Sequence, residues 1–196
     1  MQRSVKMSRK AALHSDRQLQ ILTSFEIVDD VMEQFASITG DHRIAYTNHI
    51  YRVLNFWRGL LGSPKVPRGV EVAAAFHDIG LWTSETPDYR VASIASAKEY
   101  LVKNNWNVLR PQVERLIDEH HKIFQYRGRW ERKVNAFRQA DQIDLAKGLM
   151  AYGLDKQYIG DVYVAFPSNG FHMFVARRVL CRAIKNPINP LPMVHM

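Results

Sequence analysis

Residues 73–82 read AAAFHDIGLW, and the adjacent pair His77–Asp78 makes the stretch informative. The small and apolar residues around it suit the buried face of a helix that opens at Pro67 and closes near Gly80. An ionisable group buried without a partner costs several kcal/mol, and a histidine beside a carboxylate compounds that cost. The pair must either reach water at its helix end or be neutralised, and a metal ion is the obvious candidate for neutralising it.

Helical periodicity continues on both sides of this stretch, and no segment alternates like a strand for long. From Asp16 to about Ile38 the apolar positions Leu19, Leu22, Phe25, Ile27, Val28, Val31 and Phe35 predict one helix ending near Gly40. Asp41 is placed to cap the next, whose stripe is Tyr46, Ile50, Val53, Leu54 and Trp57 before LGSP stops it. Further helices are predicted over about 93–104, 111–124, 130–150, 156–165 and 170–184, with TSETPD (83–88) a loop. The expectation is an all-α, single compact bundle of about seven to nine helices spanning residues 16–185. A loose basic tail (1–15) precedes it and an extended Pro-rich tail (186–196) follows, because three prolines exclude a helix there.

With 196 residues the chain can bury one sizeable core. Its 46% hydrophobic and 23% charged residues are ordinary for a globular protein and exclude a disordered one. No apolar run approaches the ~18–20 residues a membrane span needs. The start is basic and polar without the apolar centre of a signal peptide, so a cytoplasmic location is the expectation. Cys181 is the only cysteine, which excludes an intramolecular disulfide and a multi-cysteine zinc site. The net charge of +8 would favour nucleic acid, a membrane surface or an anionic small molecule and decides nothing by itself; a small anionic substrate is the expected partner, and no membrane. In YRGRWERKVNAFR (126–138) the cations alternate with aromatic residues; this is a solvated helix face or a phosphate-attracting rim, and nucleic acid is the less favoured partner.

Three predicted helices each turn an imidazole or carboxylate inward. His49 lies in the stripe with Tyr46, Ile50 and Val53, His77 follows Ala73 and Ala74 at helical spacing, and Asp141 follows Val134 and Phe137 and precedes Leu145. Asp144, at i+3 from Asp141, would repel it if both were unshielded. One histidine on an apolar face is usually a hydrogen-bonded core residue; a set converging from several helices suits a divalent transition ion such as Zn, Mn, Fe, Co or Ni. Neither a serine nucleophile elbow nor a Gly-rich phosphate loop offers rival chemistry.

The order His49, then His77–Asp78 within HDIG (77–80), then Asp141 in an AD context resembles the HD-domain superfamily of metal-dependent phosphohydrolases. The resemblance covers about residues 42–148. It implies an all-α fold, His49, His77, Asp78 and Asp141 as metal ligands, and hydrolysis of a phosphorylated small molecule such as a nucleotide. It also brings rivals: a di-iron oxygenase or a hydratase or lyase on the same scaffold, or a non-catalytic nucleotide- or nucleic-acid-binding member.

His120 and His121, in LIDEHHKIF, stand as catalytic candidates with three readings: substrate ligand or proton donor, ligand to a second ion, or packing. The pair is adjacent on one predicted helix, where neighbouring side chains diverge by about 100°, so both reaching one second ion is awkward. Lys122 and Arg52 are candidate substrate phosphate contacts by their nearness to proposed ligands. Some relatives of the resembled family carry an acid one turn after the motif; here Leu81 and Trp82 stand there, with Glu85 and Asp88 farther along the loop. His172 is expected near the surface of a packing helix, and His14, His42 and His195 are assigned no role.

Overall fold

The computed structural model describes residues 19–84 and 88–185; the expected tails at 1–15 and 186–196, and Glu85, lie outside the described residues. Among those described there is no strand. The helices are α1 (Glu26–Gln34), α2 (Ala36–Thr39), α3 (Arg43–Leu61), α4 (Arg68–Phe76), α5 (Gly80–Thr83), α6 (Arg90–Lys103), α7 (Arg110–Glu119), α8 (Glu131–Leu145), α9 (Lys156–Ala165) and α10 (Phe171–Lys185). Short 3-10 turns at Gly40–His42 and Asn107–Leu109 lead into α3 and α7. Eight of these helices are nine residues or longer, as the periodicity anticipates.

Helix α3 is the axis of the fold, with every residue from His49 to Arg58 buried. Its apolar stripe packs against α4 and α8. The opposite side carries Arg52, Asn55 and Arg58, which a two-sided amphipathic reading sends to solvent. They are buried because irregular backbone covers them. Asn55 accepts from the Leu22 amide at 2.9 Å and donates to the Leu22 carbonyl at 3.0 Å, and Arg58 donates to the Gln20 carbonyl at 2.9 Å. These bonds hold backbone groups that a helix would need, so the expected helix from Asp16 is absent over 19–25 and α1 begins only at Glu26. Glu71 on α4 then accepts from the Ile27 amide at 2.8 Å, satisfying an end of α1 from another element.

The same logic shortens other elements. Helix α7 ends at Glu119 rather than Phe124, because Asn135 brackets the Tyr126 amide and carbonyl at 2.9 and 2.8 Å. Arg138 likewise takes the Lys122 and Ile123 carbonyls at 3.1 and 2.8 Å. That buried guanidinium therefore leaves the basic stretch 126–138, of which Arg127, Arg129 and Arg132 stay exposed. Asp41 makes no side-chain cap on α3, whereas Asp155 caps α9 through the Gln157 and Tyr158 amides at 2.7 and 3.1 Å.

Gly80 does not close a helix. α4 stops at Phe76, His77–Ile79 form a turn, and Gly80 starts α5. What requires glycine is a close approach. A Cβ at Gly80 would lie 2.1 Å from the Tyr89 carbonyl oxygen and 2.9 Å from the Ser93 hydroxyl, which itself accepts from the Gly80 amide at 3.0 Å. Gly80→Ala must push α6 away from the HDIG turn. We expect it to destabilise the fold by ~1–3 kcal/mol, read as a lower melting temperature by calorimetry.

Candidate metal centre

The ends of two helices and the middles of two others meet at one place. His49 comes from α3; His77 and Asp78 follow the end of α4; His120 and His121 follow the end of α7; Asp141 and Asp144 project from α8. All but His121 are buried, and His121 is largely so.

Each of three histidines has its Nδ1 committed. The last carbonyls of a helix lack intrahelical donors, and His77 and His120 use this in the same way. The Nδ1–H of His77 donates to the Ala74 carbonyl at 2.7 Å, and that of His120 to the Ile117 carbonyl at 2.6 Å. A carbonyl can only accept, so both rings carry their hydrogen on Nδ1 and turn Nε2 into the site. His49 reaches the same state through a carboxylate, its Nδ1 donating to Asp144 Oδ2 at 2.6 Å.

The freed nitrogens face one another. His49 Nε2 lies 3.0 Å from His77 Nε2. Two lone pairs at that distance repel, so either a proton on His77 Nε2, donated to His49, or a metal ion lies between them. Asp78 Oδ2 stands 3.7 and 3.5 Å from the two nitrogens, and Asp141 Oδ1 stands 3.5 and 3.8 Å from them. Ligands ~2.0–2.2 Å from an ion are separated by ~3.0–3.6 Å along polyhedron edges, close to these spacings. Neither oxygen of Asp141, nor Nε2 of His120, has a hydrogen-bond partner among the described residues. A buried carboxylate without a donor is costly, and a metal ion would relieve it. His49, His77 and Asp78 together could hold a metal ion.

Asp78 also faces a second group. Its Oδ1 lies 3.3 Å from His120 Nε2 and 3.9 Å from His121 Nε2, and the Tyr89 hydroxyl donates to it at 2.8 Å. The expected divergence of adjacent side chains does not keep them apart, although His120 retains helical backbone angles just past the end of α7 at Glu119. The His120 and His121 rings lie against each other with centroids 3.8 Å apart, and both reach Asp78.

Charge is balanced without solvent. Burial opposes protonation of His77, but the Asp78 and Asp141 carboxylates lift it to about 9. Burial would raise Asp144; instead the His49 and Arg52 side chains hold it well below the usual carboxylate range. Burial and the neighbouring His120 push His121 down to about 3, leaving it as the neutral imidazole that metals bind.

Some sequence-derived assignments are placed differently. Arg52, expected as a substrate contact, is fully buried and grips Asp144 through Nε at 2.5 Å and Nη2 at 2.9 Å, with Nη1 donating to the Phe166 carbonyl at 2.9 Å. Lys122 lies 3.2 Å from Glu119 at the surface. Asp88 pairs with Arg90 at 2.7 Å rather than reaching back to the motif. Trp82, standing where an acid was sought, packs between Tyr46 and Phe174. His172 is not at the surface: its Nε2 donates to the Asp144 carbonyl at 2.8 Å.

Asp144, Tyr89 and His172 escape a reading of spacing alone. For Asp144 a signal existed in its i+3 placement beside Asp141, where a buried cation had to offset repulsion; Tyr89 left none. Removing that cation tests the support of His49. Arg52→Met should cost roughly 3–5 kcal/mol, as expected when one member of a buried ion pair is deleted, whereas Lys122→Met should stay within ~0.5 kcal/mol. Urea midpoints of the two variants check this. No family model, curated protein or solved structure matches the chain.

Proposed function

We propose that this protein is a metal-dependent hydrolase of the HD-domain type, cleaving a phosphoester of a nucleotide or another small phosphorylated metabolite. The carrying observation is the pair of imidazole nitrogens, His49 Nε2 and His77 Nε2, facing each other at 3.0 Å with both Nδ1 atoms already committed. Beside them the Asp141 carboxylate lacks any donor. Proton and metal are the two cations that satisfy this arrangement, and the His…His-Asp…Asp order supports the metal.

When bound, a divalent ion supplies Lewis acidity and a water acidic enough to attack a phosphoester near neutral pH. His49, His77, Asp78 and Asp141 would hold it. Asp144, itself held by Arg52, orients His49 and strengthens it as a donor; such supporting contacts typically contribute 10–100-fold in affinity. The two carboxylates Asp78 and Asp141 balance a dication in a site closed to bulk water. The net charge of +8 supports an anionic substrate, drawn by the field of the whole molecule.

A second reading rests on Asp78, whose two oxygens face two different histidine pairs. Two ions sharing that carboxylate would serve either two-metal hydrolysis or oxidation of a small substrate by a di-iron centre.

Metal content measured together with turnover of nucleotides, cyclic nucleotides and sugar phosphates, under Mn, Fe, Co, Ni and Zn in turn, separates these readings. We expect bound metal in the wild type, chelator-sensitive hydrolysis of at least one phosphoester, and loss of metal in Asp141→Ala. Full metal retention by that variant would show the ligand set to be wrong. Two irons with oxygen consumption and no hydrolysis would favour the oxidative reading. Stoichiometric nucleotide or RNA binding without turnover would make the protein a regulator.

A further inference from the structure

We propose that Tyr89 is a metal-binding residue, its phenol oxygen joining Asp78, His120 and His121 around a second cation. This rests on the metal reading above and extends it to a residue type absent from that ligand set. Tyr89 is buried at the start of α6, with its hydroxyl donating to Asp78 Oδ1 at 2.8 Å and also hydrogen-bonded to His121 Nε2. A phenol has one hydrogen, so while it donates to Asp78 it accepts from the Nε2–H of His121. On the other side of Asp78 Oδ1, 3.3 Å away, His120 Nε2 is buried with no hydrogen-bond partner among the described residues. Phenol oxygen, carboxylate oxygen and two imidazole nitrogens thus gather in one place, with only a hydrogen between the phenol oxygen and each of Asp78 Oδ1 and His121 Nε2.

Those hydrogens are what a cation would replace, and each has somewhere to go. The phenol proton leaves to water as the cation binds, because a ligand oxygen must be deprotonated. The His121 hydrogen moves from Nε2 to Nδ1, which lies 3.9 Å from Asp141 Oδ2, an oxygen with no donor of its own. His120 needs no change, its hydrogen already being held on Nδ1 by the Ile117 carbonyl. One proton is released to water per cation bound, from the Tyr89 O–H; the His121 hydrogen is kept on Nδ1, and the two hydrogen bonds of the phenol give way to bonds to the cation.

The backbone of Tyr89 is held against the centre. Its carbonyl oxygen sits where any Cβ on Gly80 would be, and Ser93, one turn along α6, accepts from the Gly80 amide. The glycine that follows the His-Asp pair therefore lets α6 approach closely enough for its first side chain to reach Asp78. Two nitrogens, a carboxylate and a phenolate form a hard, anionic set suited to ferric iron or manganese rather than to a soft ion.

Ferric iron gives this proposal a readout independent of turnover, since a phenolate bound to it produces a charge-transfer absorption in the visible. The full chain is titrated with iron to saturation in air, following iron per chain, visible absorption and proton release. We expect two irons, a visible band and at least about tenfold weaker binding of the second iron in Tyr89→Phe, with the band gone. Tyr89→His, which restores a donor, should keep both irons and still lack the band, so that a folding defect in the phenylalanine variant leaves the assignment testable. Tyr163→Phe, which removes a hydroxyl from the Asp144 carbonyl, should keep the band. A wild type that saturates at one iron, or holds two without a visible band, overturns the role of Tyr89 while leaving the first site standing. A band that persists in Tyr89→Phe does the same. Failure of the wild type to bind iron, manganese or zinc overturns the metal reading and this inference together.

Discussion

The Asp144 carboxylate, buried and clamped by Arg52 and His49, is the interaction on which the rest of the structure depends. It joins α8 to α3 through two charged partners and fixes the ring of His49. The same guanidinium reaches the Phe166 and Pro167 carbonyls, and the Asp144 carbonyl accepts from Tyr163 and His172. Arg52 and Asp144 together thereby tie α9 and α10 to the axis of the fold. A carboxylate in this position has its oxygens supplied with donors, which is the condition under which a buried charge is tolerated. Asp141, one turn earlier on α8, has no hydrogen-bond donor among the described residues, so two aspartates on one helix differ in how their charge is met.

Helix ends do most of the positioning. α4 and α7 both finish with a histidine that returns its Nδ1–H to a carbonyl three residues back, so each helix satisfies an orphan acceptor and aims a free nitrogen by the same bond. Imidazoles held this way are rigid, because ring rotation would leave a buried carbonyl without its donor. Phe171 of α10 adds a flat wall, its ring stacked on His49 with centroids 4.1 Å apart. The centre is therefore preorganised by backbone that the fold needs in any case.

Helices α3 and α9 were legible from residue pattern, since their periodicity and stop signals are local. Their neighbours' boundaries were not. Whether Leu19–Phe25 is helical depends on Asn55, 33 residues beyond Leu22, taking both of its backbone groups. The end of α7 depends likewise on Asn135 and Arg138 from the next helix. Propensity has no access to such partners. Arg52 was misplaced for a related reason: a charged residue at a polar helical position reads as solvated until the element that covers it is known.

The sequence by itself determined an all-helical chain whose His49, His77, Asp78 and Asp141 fall at inward positions, because burial pattern and ionisable residue type are both written locally. Only the tertiary structure decided that Asp144 supports His49 and that Arg52 serves Asp144 rather than solvent. It alone decided that His120, His121 and Tyr89 meet on the far oxygen of Asp78. These are meetings between elements far apart in the chain, made by helix ends and a glycine contact that no periodicity encodes.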